Sequence, residues 1–206
     1  MLTGVPIMAK ITLHHADAST INTMADLIMT DPPFDMPAAQ LAGILAGIQA
    51  DHLVLITTMR QLLGLVKCSD WELAFDFVLD SVTPKKSMSL HQPNYTHATG
   101  VYLTRPGIKS LFNRKRRQRS DTFDNKGYWP TVLRAPRERL SDHGMAKNQT
   151  AITDILGCFD VSHVCDPFAG SGTVGLAAYE LDIECTLIEK DPQHYALLEQ
   201  TFRFLR

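Results

Sequence analysis

The chain has 206 residues, 45% hydrophobic and 20% charged, with a net charge of -2 and a pI of about 6.4, an ordinary α/β composition with length enough for one sizeable core. Its most apolar stretch, Ala38 to Ile56, is broken by Gln40, Gln49, Asp51 and His52, too soon for a membrane span, and no export signal opens the chain. Cys68, Cys158, Cys165 and Cys185 are scattered and the eight histidines form no ligand constellation, which points away from disulfides and metal and toward free thiols in a reducing cytoplasm.

Short apolar runs alternate with helical patterns, the mark of a βα sheet. Lys10 to His15 reads as a strand, and Asp26 to Thr30 as the next, with Asp31 at its end. A helix is expected from Pro37 to Ala50, a strand from His52 to Thr57 and a helix from Met59 to Val66. Trp71 to Leu79 is apolar and β-rich, and Ala98 to Thr104 pairs with it as a hairpin-like return. From Arg105 to Leu140 the pattern fails, with Pro106, Pro130 and Pro136 around a basic run. Order returns with a helix over Gln149 to Cys158, a strand over Ser162 to Asp166, a helix over Gly172 to Asp182, a strand over Glu184 to Glu189 and a terminal helix. The reading is one domain over residues 1–206, with residues 105–140 inserted in it.

Two segments stand at strand ends, where open α/β sheets bind ligands. They are Asp31-Pro32-Pro33-Phe34 and Asp166-Pro167-Phe168-Ala169-Gly170-Ser171-Gly172-Thr173. In the second, a strand runs into a tight glycine turn that opens a helix, so a ligand can press against bare backbone. No Gly-Lys-Ser/Thr follows, as a P-loop requires. Gly175 completes a G-x-G-x-x-G spacing, so the glycines leave a dinucleotide site open as well. Glu189 ends the next strand about 20 residues on, where a carboxylate can hold both ribose hydroxyls.

With Asp-Pro-Phe ahead of the glycines, the second segment resembles the S-adenosylmethionine loop of the nucleic-acid amino-methyltransferases, D-P-F-x-G-S-G-T. The match is complete. Asp31-Pro32-Pro33-Phe34 resembles their catalytic tetrapeptide, and its place ahead of the cofactor loop is the order of the circularly permuted β group. The resemblance implies a Rossmann-like class I methyltransferase fold, a mostly parallel seven-stranded sheet with helices on both faces. It implies S-adenosyl-L-methionine as cofactor, with Asp166, Phe168, Gly170 and Gly172 along the methionine half, Thr173 starting the helix and Glu189 on the ribose. His143 and Lys147 match the family's H-P-x-x-K-P segment, with Gly144 and Asn148 in place of the prolines. Lys147 is thereby a partner for the cofactor carboxylate, or else a lysine near a helix end. Asp17 sits where the family places an acid against the adenine amine, and is equally suited to cap a helix.

The tetrapeptide has a chemical rationale. The lone pair of an exocyclic base amine is delocalised into the ring, and two acceptors aimed at its N–H bonds can draw the nitrogen toward sp³ geometry. The Asp31 carboxylate and the Pro32 carbonyl are the natural pair, with Pro32 and Pro33 holding φ near -65°. Phe34 offers a ring for a flipped-out base to stack on. Asp at the first position resembles the N6-adenine enzymes. N4 of cytosine and a base in RNA are the alternatives within this chemistry, and a silent DNA-binding protein of the same fold is the alternative outside it.

Charge is unevenly spread. Residues 105–147 hold 12 of the 20 basic and 4 of the 22 acidic residues, a balance of +8 against -10 for the remainder. Arg114, Lys115, Arg116, Arg117 and Arg119 therefore read as a polyanion footprint on DNA, where the resemblance places target recognition. The alternative is a solvated charged loop. Tyr128 and Trp129 suit either the gap left by a flipped base or the core. Gly43 and Gly47 read as close packing on the sheet, and the resemblance adds a homodimer contact there. A bacterial or phage-like setting goes with this group.

Overall fold

The computed structural model describes residues 10–85, 90–91, 94–113, 129–135 and 148–203. The first half runs through β1 (Ile11–His15), a 3₁₀ turn (Ala18–Thr20), β2 (Thr23–Met24), β3 (Leu27–Thr30), α1 (Ala38–Ala46), β4 (Ile48–Gln49), β5 (His52–Thr57) and α2 (Met59–Cys68). Then come β6 (Glu72–Lys85), β7 (Tyr95–Thr104), β8 (Val132–Arg134), α3 (Gln149–Leu156), β9 (His163–Asp166), α4 (Thr173–Glu180), β10 (Glu184–Glu189) and α5 (Pro192–Arg203). Among the described residues no helix is long and apolar enough to cross a membrane.

Among the described residues eight strands form one sheet, in the order β1-β10-β9-β3-β5-β7-β6-β8, and β2 pairs with β4 apart from it. Within the sheet β7 runs antiparallel to β5 and β6, and the other pairings are parallel. The sheet is mostly parallel, as expected, with one strand more than seven. The addition is β8, inside the segment read as irregular. It spans three residues, of which only Leu133 is buried, too few to leave a period of two in the sequence. Backbone bonds Val78 N–H to Thr131 O and Ala135 N–H to Asp80 O fasten its two ends to β6. Residues 114–128 and 136–140 of that segment lie outside the described residues.

Period-two alternation splits the core into two layers. Leu27, Met29, Val54, Ile56 and Tyr102 face a cluster with Ile152 and Ile155 of α3, Ala177 of α4 and Phe202 of α5. Ile28, Leu53, Leu55, Val101 and Leu103 face Leu41 and Ile44 of α1 and Leu62 and Leu65 of α2. Helices thus cover both faces, which explains why the central strands β3 and β5 are buried along their whole length.

Helix α1 stops at Ala46, four residues before the expected end, because Gly47 caps it and the chain turns into β4. A Cβ on Gly47 would stand 3.1 Å from Ile21 O, so close packing explains this glycine. It does not explain Gly43, whose added Cβ would meet nothing within 4 Å. The close approach of α1 to α2 is made instead by Gly64, where a Cβ would stand 2.7 Å from that of Ala38.

Candidate active site

Strands β3 and β9 lie side by side, with Ile28 opposite Cys165. Their connections leave in opposite directions, β3 through α1 to β5 and β9 through α4 to β10. This is a topological switch point, and a crevice opens over the carboxyl ends of the two strands. A cleft of about 1250 Å³ occupies it. Asp31, Pro32, Pro33 and Phe34 line one side, and Asp17, Asp166, Phe168, Gly170, Thr173 and Glu189 line the other. Segments more than 130 residues apart in the chain therefore share one cavity.

The β3–β9 junction is clipped at both ends. At the floor of the cleft, the Thr30 hydroxyl donates to Asp166 Oδ1 at 2.6 Å, and Phe168 N–H donates to the same oxygen at 3.0 Å. At the far end, Asp26 Oδ2 accepts from Ser162 N–H (2.8 Å), Ser162 Oγ–H (2.7 Å) and His163 N–H (3.0 Å). Asp166 is 4% exposed. Burial pushes its carboxyl up to about 7, the charges of Asp31 and Glu189 push the same way, and the two hydrogen bonds work against them. Desolvation wins, so this carboxyl titrates near neutrality.

The turn after β9 is closed by Gly172 N–H to Ala169 O at 2.8 Å, with Gly170 at φ +50° and Gly172 at φ +81°. Gly170 N–H donates to Glu189 Oε2 and Asp191 N–H to Glu189 Oε1, each at 2.8 Å. The Glu189 carboxylate thereby ties the turn after β9 to the start of α5. Each of its oxygens keeps acceptor capacity, since a carboxylate offers about four lone-pair sites. A Cβ on Gly170 would come no closer than 3.8 Å to Phe168 O, so the backbone here stands bare to the cleft.

Gly172 is placed differently from the expectation that it lines a ligand. Its Cβ direction points at α5, 2.7 Å from Leu198 Cδ2 and 3.0 Å from Phe202 Cε2, and it is not among the residues of the cleft wall. What requires glycine there is the left-handed cap of α4 together with the approach of α5. Gly175, third in the spacing, presses in the same way on Leu187 and Phe202.

Asp17 caps a helix, one of the two parts expected of it, and lines the cleft. Its Oδ1 accepts from Ser19 N–H at 3.0 Å and Ser19 Oγ–H at 2.7 Å, capping the 3₁₀ turn. Its Oδ2 stands 4.0 Å from Lys190 Nζ at the cleft edge. The Ser19 hydroxyl and amide, with a smaller contribution from Lys190, hold the carboxyl below the usual range.

Trp129, expected either at DNA or in the core, is partly buried and packs against the core. Its ring packs edge-on against Phe75, Phe77 and Phe112 at centroid distances of 6.2, 5.6 and 5.3 Å. Arg114, Lys115, Arg116, Arg117, Arg119, Tyr128, His143 and Lys147 lie outside the described residues.

Several residues of the site escaped the sequence reading. Thr30 carried a signal, a hydroxyl closing an otherwise apolar strand. Gln61 carried one as well, since Thr58-Met59-Arg60-Gln61 has capping-box spacing. Its side chain, though, donates to Pro33 O at 3.0 Å and Met36 O at 3.1 Å. Lys190 and His194 also line the cleft, and only the fold places them there.

No protein-family model matches the chain, and no curated protein matches it in sequence. Solved structures do. M1.HpyAVI in complex with SAM superposes with a TM-score of 0.70 at 20% identity, over 93% of this chain and 99% of that one. TTHA0409 of Thermus thermophilus, complexed with S-adenosyl-L-methionine, gives 0.68 at 14% identity over 95% of both chains. The cytosine-N4-specific PvuII DNA methyltransferase gives 0.71 at 15% identity, over 97% of this chain and 88% of that one. At such identities the likeness establishes the fold, an α/β methyltransferase fold in which the cleft sits at the β3–β9 switch point.

Proposed function

We propose that the chain is an S-adenosylmethionine-dependent DNA methyltransferase acting on the exocyclic N6 of an adenine flipped out of the helix. The observation that carries this reading is the convergence at one switch point of Asp31-Pro32-Pro33-Phe34 with the glycine turn and Glu189. Two of the similar structures hold the same cofactor, which supports S-adenosylmethionine as the occupant.

The residues suit that cofactor. Glu189 has acceptor capacity for a ribose diol, and Asp17 lies at the edge beyond it, suited to an adenine amine. Asp166 is a buried carboxyl that a neighbouring cationic group would charge. Phe168 and the bare backbone at Gly170 line the same wall, Gly172 shapes their turn, and Thr173 opens α4 beside them. Lys147 is proposed for the cofactor carboxylate on its sequence position alone. When bound, the cofactor supplies an electrophilic sulfonium methyl group.

The chain's own part is to bind and orient the base. The Asp31 carboxylate and the Pro32 carbonyl accept from the two amine N–H bonds and draw the nitrogen out of conjugation. Phe34, 42% exposed toward the cleft, gives the flipped base a face to stack on. Holding the amine at reacting distance from the methyl group supplies much of the remaining acceleration. Residues 105–140 form the proposed target-recognition insertion, with Arg114, Lys115, Arg116, Arg117 and Arg119 on phosphates and Tyr128 near the base gap.

A second reading, N4 of cytosine, is favoured by the likeness to the PvuII enzyme, and the same pair of acceptors serves either amine. The test of the common mechanism is Asp31→Ala. It should abolish methyl transfer while leaving S-adenosylmethionine and DNA bound. Retention of transfer would remove Asp31 from the mechanism.

A further inference from the structure

Asp31-Pro32-Pro33-Phe34 has little backbone means of holding itself, because neither proline carries an N–H. Its geometry is fixed from another element. Pro33, Phe34, Asp35 and Met36 form a turn closed by Met36 N–H to Pro33 O at 3.0 Å. Phe34 is the first of its two central residues. The Gln61 amide, from the first turn of α2, donates to both ends of this turn, at Pro33 O (3.0 Å) and Met36 O (3.1 Å). Its Oε1 accepts from the Thr57 hydroxyl at 2.7 Å, and the residue is only 4% exposed. A capping box would turn this amide back to the helix start. Here Thr58 Oγ1 caps Gln61 N–H at 3.3 Å, while the amide is committed to the loop.

We propose that Gln61 is a positioning residue, which staples the turn between Pro33 and Met36 and so sets where Phe34 and the neighbouring Pro32 carbonyl stand in the cleft. This rests on the reading of that segment as the base-binding and catalytic loop. Both carbonyls are bonded to one rigid planar amide, and that amide is itself oriented by Thr57 on β5. Loop and strand therefore move as a unit. A displacement of about 1 Å at such a site can lower a rate about a hundredfold.

The test uses the full chain and two variants. Gln61→Glu keeps the shape and the acceptor for Thr57, but sets an oxygen against the two carbonyls. Gln61→Met fills the space without hydrogen bonds. Steady-state methyl transfer to DNA is measured from about pH 6 to about pH 9, with the Kd of S-adenosylmethionine alongside. Both variants should lose at least about tenfold in kcat, with the Kd within about twofold of wild type, since the Gln61 amide bonds Thr57, Pro33 and Met36 and not the glycine turn. The Gln61→Glu deficit, relative to wild type at the same pH, should shrink toward low pH, where the protonated carboxyl regains one donor. The Gln61→Met deficit should not change with pH. Wild-type kcat in either variant, or a parallel loss of cofactor affinity without the pH recovery, would overturn the proposal. A wild-type protein that transfers no methyl group to DNA would instead overturn the functional reading, and this proposal with it.

Discussion

Thr30→Val removes the hydroxyl that donates to Asp166 Oδ1 at 2.6 Å and leaves a side chain of nearly the same shape. A hydrogen bond to a charged group is worth about 1.5–3 kcal/mol, and one pKa unit corresponds to about 1.4 kcal/mol. Losing this bond should therefore raise the Asp166 carboxyl from about 7 by about one to two units. A cationic ligand beside Asp166 binds the ionised form. At about pH 8 the wild-type carboxyl is about nine-tenths ionised, and one titrating near 8.5 about one-quarter, a loss of about fourfold in affinity that fades by about pH 9. The assay is calorimetric titration of S-adenosylmethionine across that range, with Asp166→Asn as control. The ligand's own titration is common to all three proteins. Thr30→Val should move the wild-type midpoint upward, and Asp166→Asn should flatten the dependence that remains. An unmoved midpoint in Thr30→Val would refute the coupling of β3 to the glycine turn.

Burial of Asp166 also has a cost in stability. The folded chain holds this proton to about 7 against an ordinary 3.8, so stability should fall as pH rises from about 3.8 through about 7 and level off beyond, by up to about 4 kcal/mol. Urea unfolding should then show Asp166→Asn more stable than wild type at about pH 8, with the gap closing in acid. Gly172→Ala combines a left-handed φ of +81° with a contact of 2.7 Å on Leu198. It should cost about 2–4 kcal/mol in unfolding free energy, and a cost under about 1 kcal/mol would contradict the packing assigned to α5. Replacing Arg114, Lys115, Arg116 and Arg117 with glutamine should flatten the salt dependence of DNA binding by about 0.9 for each phosphate that is no longer neutralised. An unchanged slope would place the DNA-binding surface elsewhere.

The strands were legible because most are long enough to declare themselves. Val54 and Ile56 face one layer and Leu53 and Leu55 the other, and such a doubly buried run reads directly as a central parallel strand. Strand β8 has three residues and no such pattern. Asp31 and Glu189, which line the cleft, were legible because one opens the Asp-Pro-Pro-Phe segment after a strand and the other ends the strand about 20 residues beyond the glycine turn. Their support was not. Thr30 meets a partner 136 positions away, which no local spacing reveals. Gln61 carries a local capping pattern that a distant loop overrides. Gly170 and Gly172 look alike in the motif, yet one faces the cleft and the other α5. Trp129 was undecided in the sequence because an indole suits a core and a base equally, and only the fold shows it packed on three phenylalanines at the edge of the core.

The most direct test is chemical identification of the product. The purified chain is incubated with labelled S-adenosylmethionine and unmethylated DNA, the DNA is digested to nucleosides, and the labelled nucleoside is identified by mass. N6-methyladenine is the expected product, absent with Asp31→Ala. N4-methylcytosine would keep the mechanism and overturn the choice of base. No labelled nucleoside from duplex or single-stranded DNA would contradict methyl transfer to DNA by this chain.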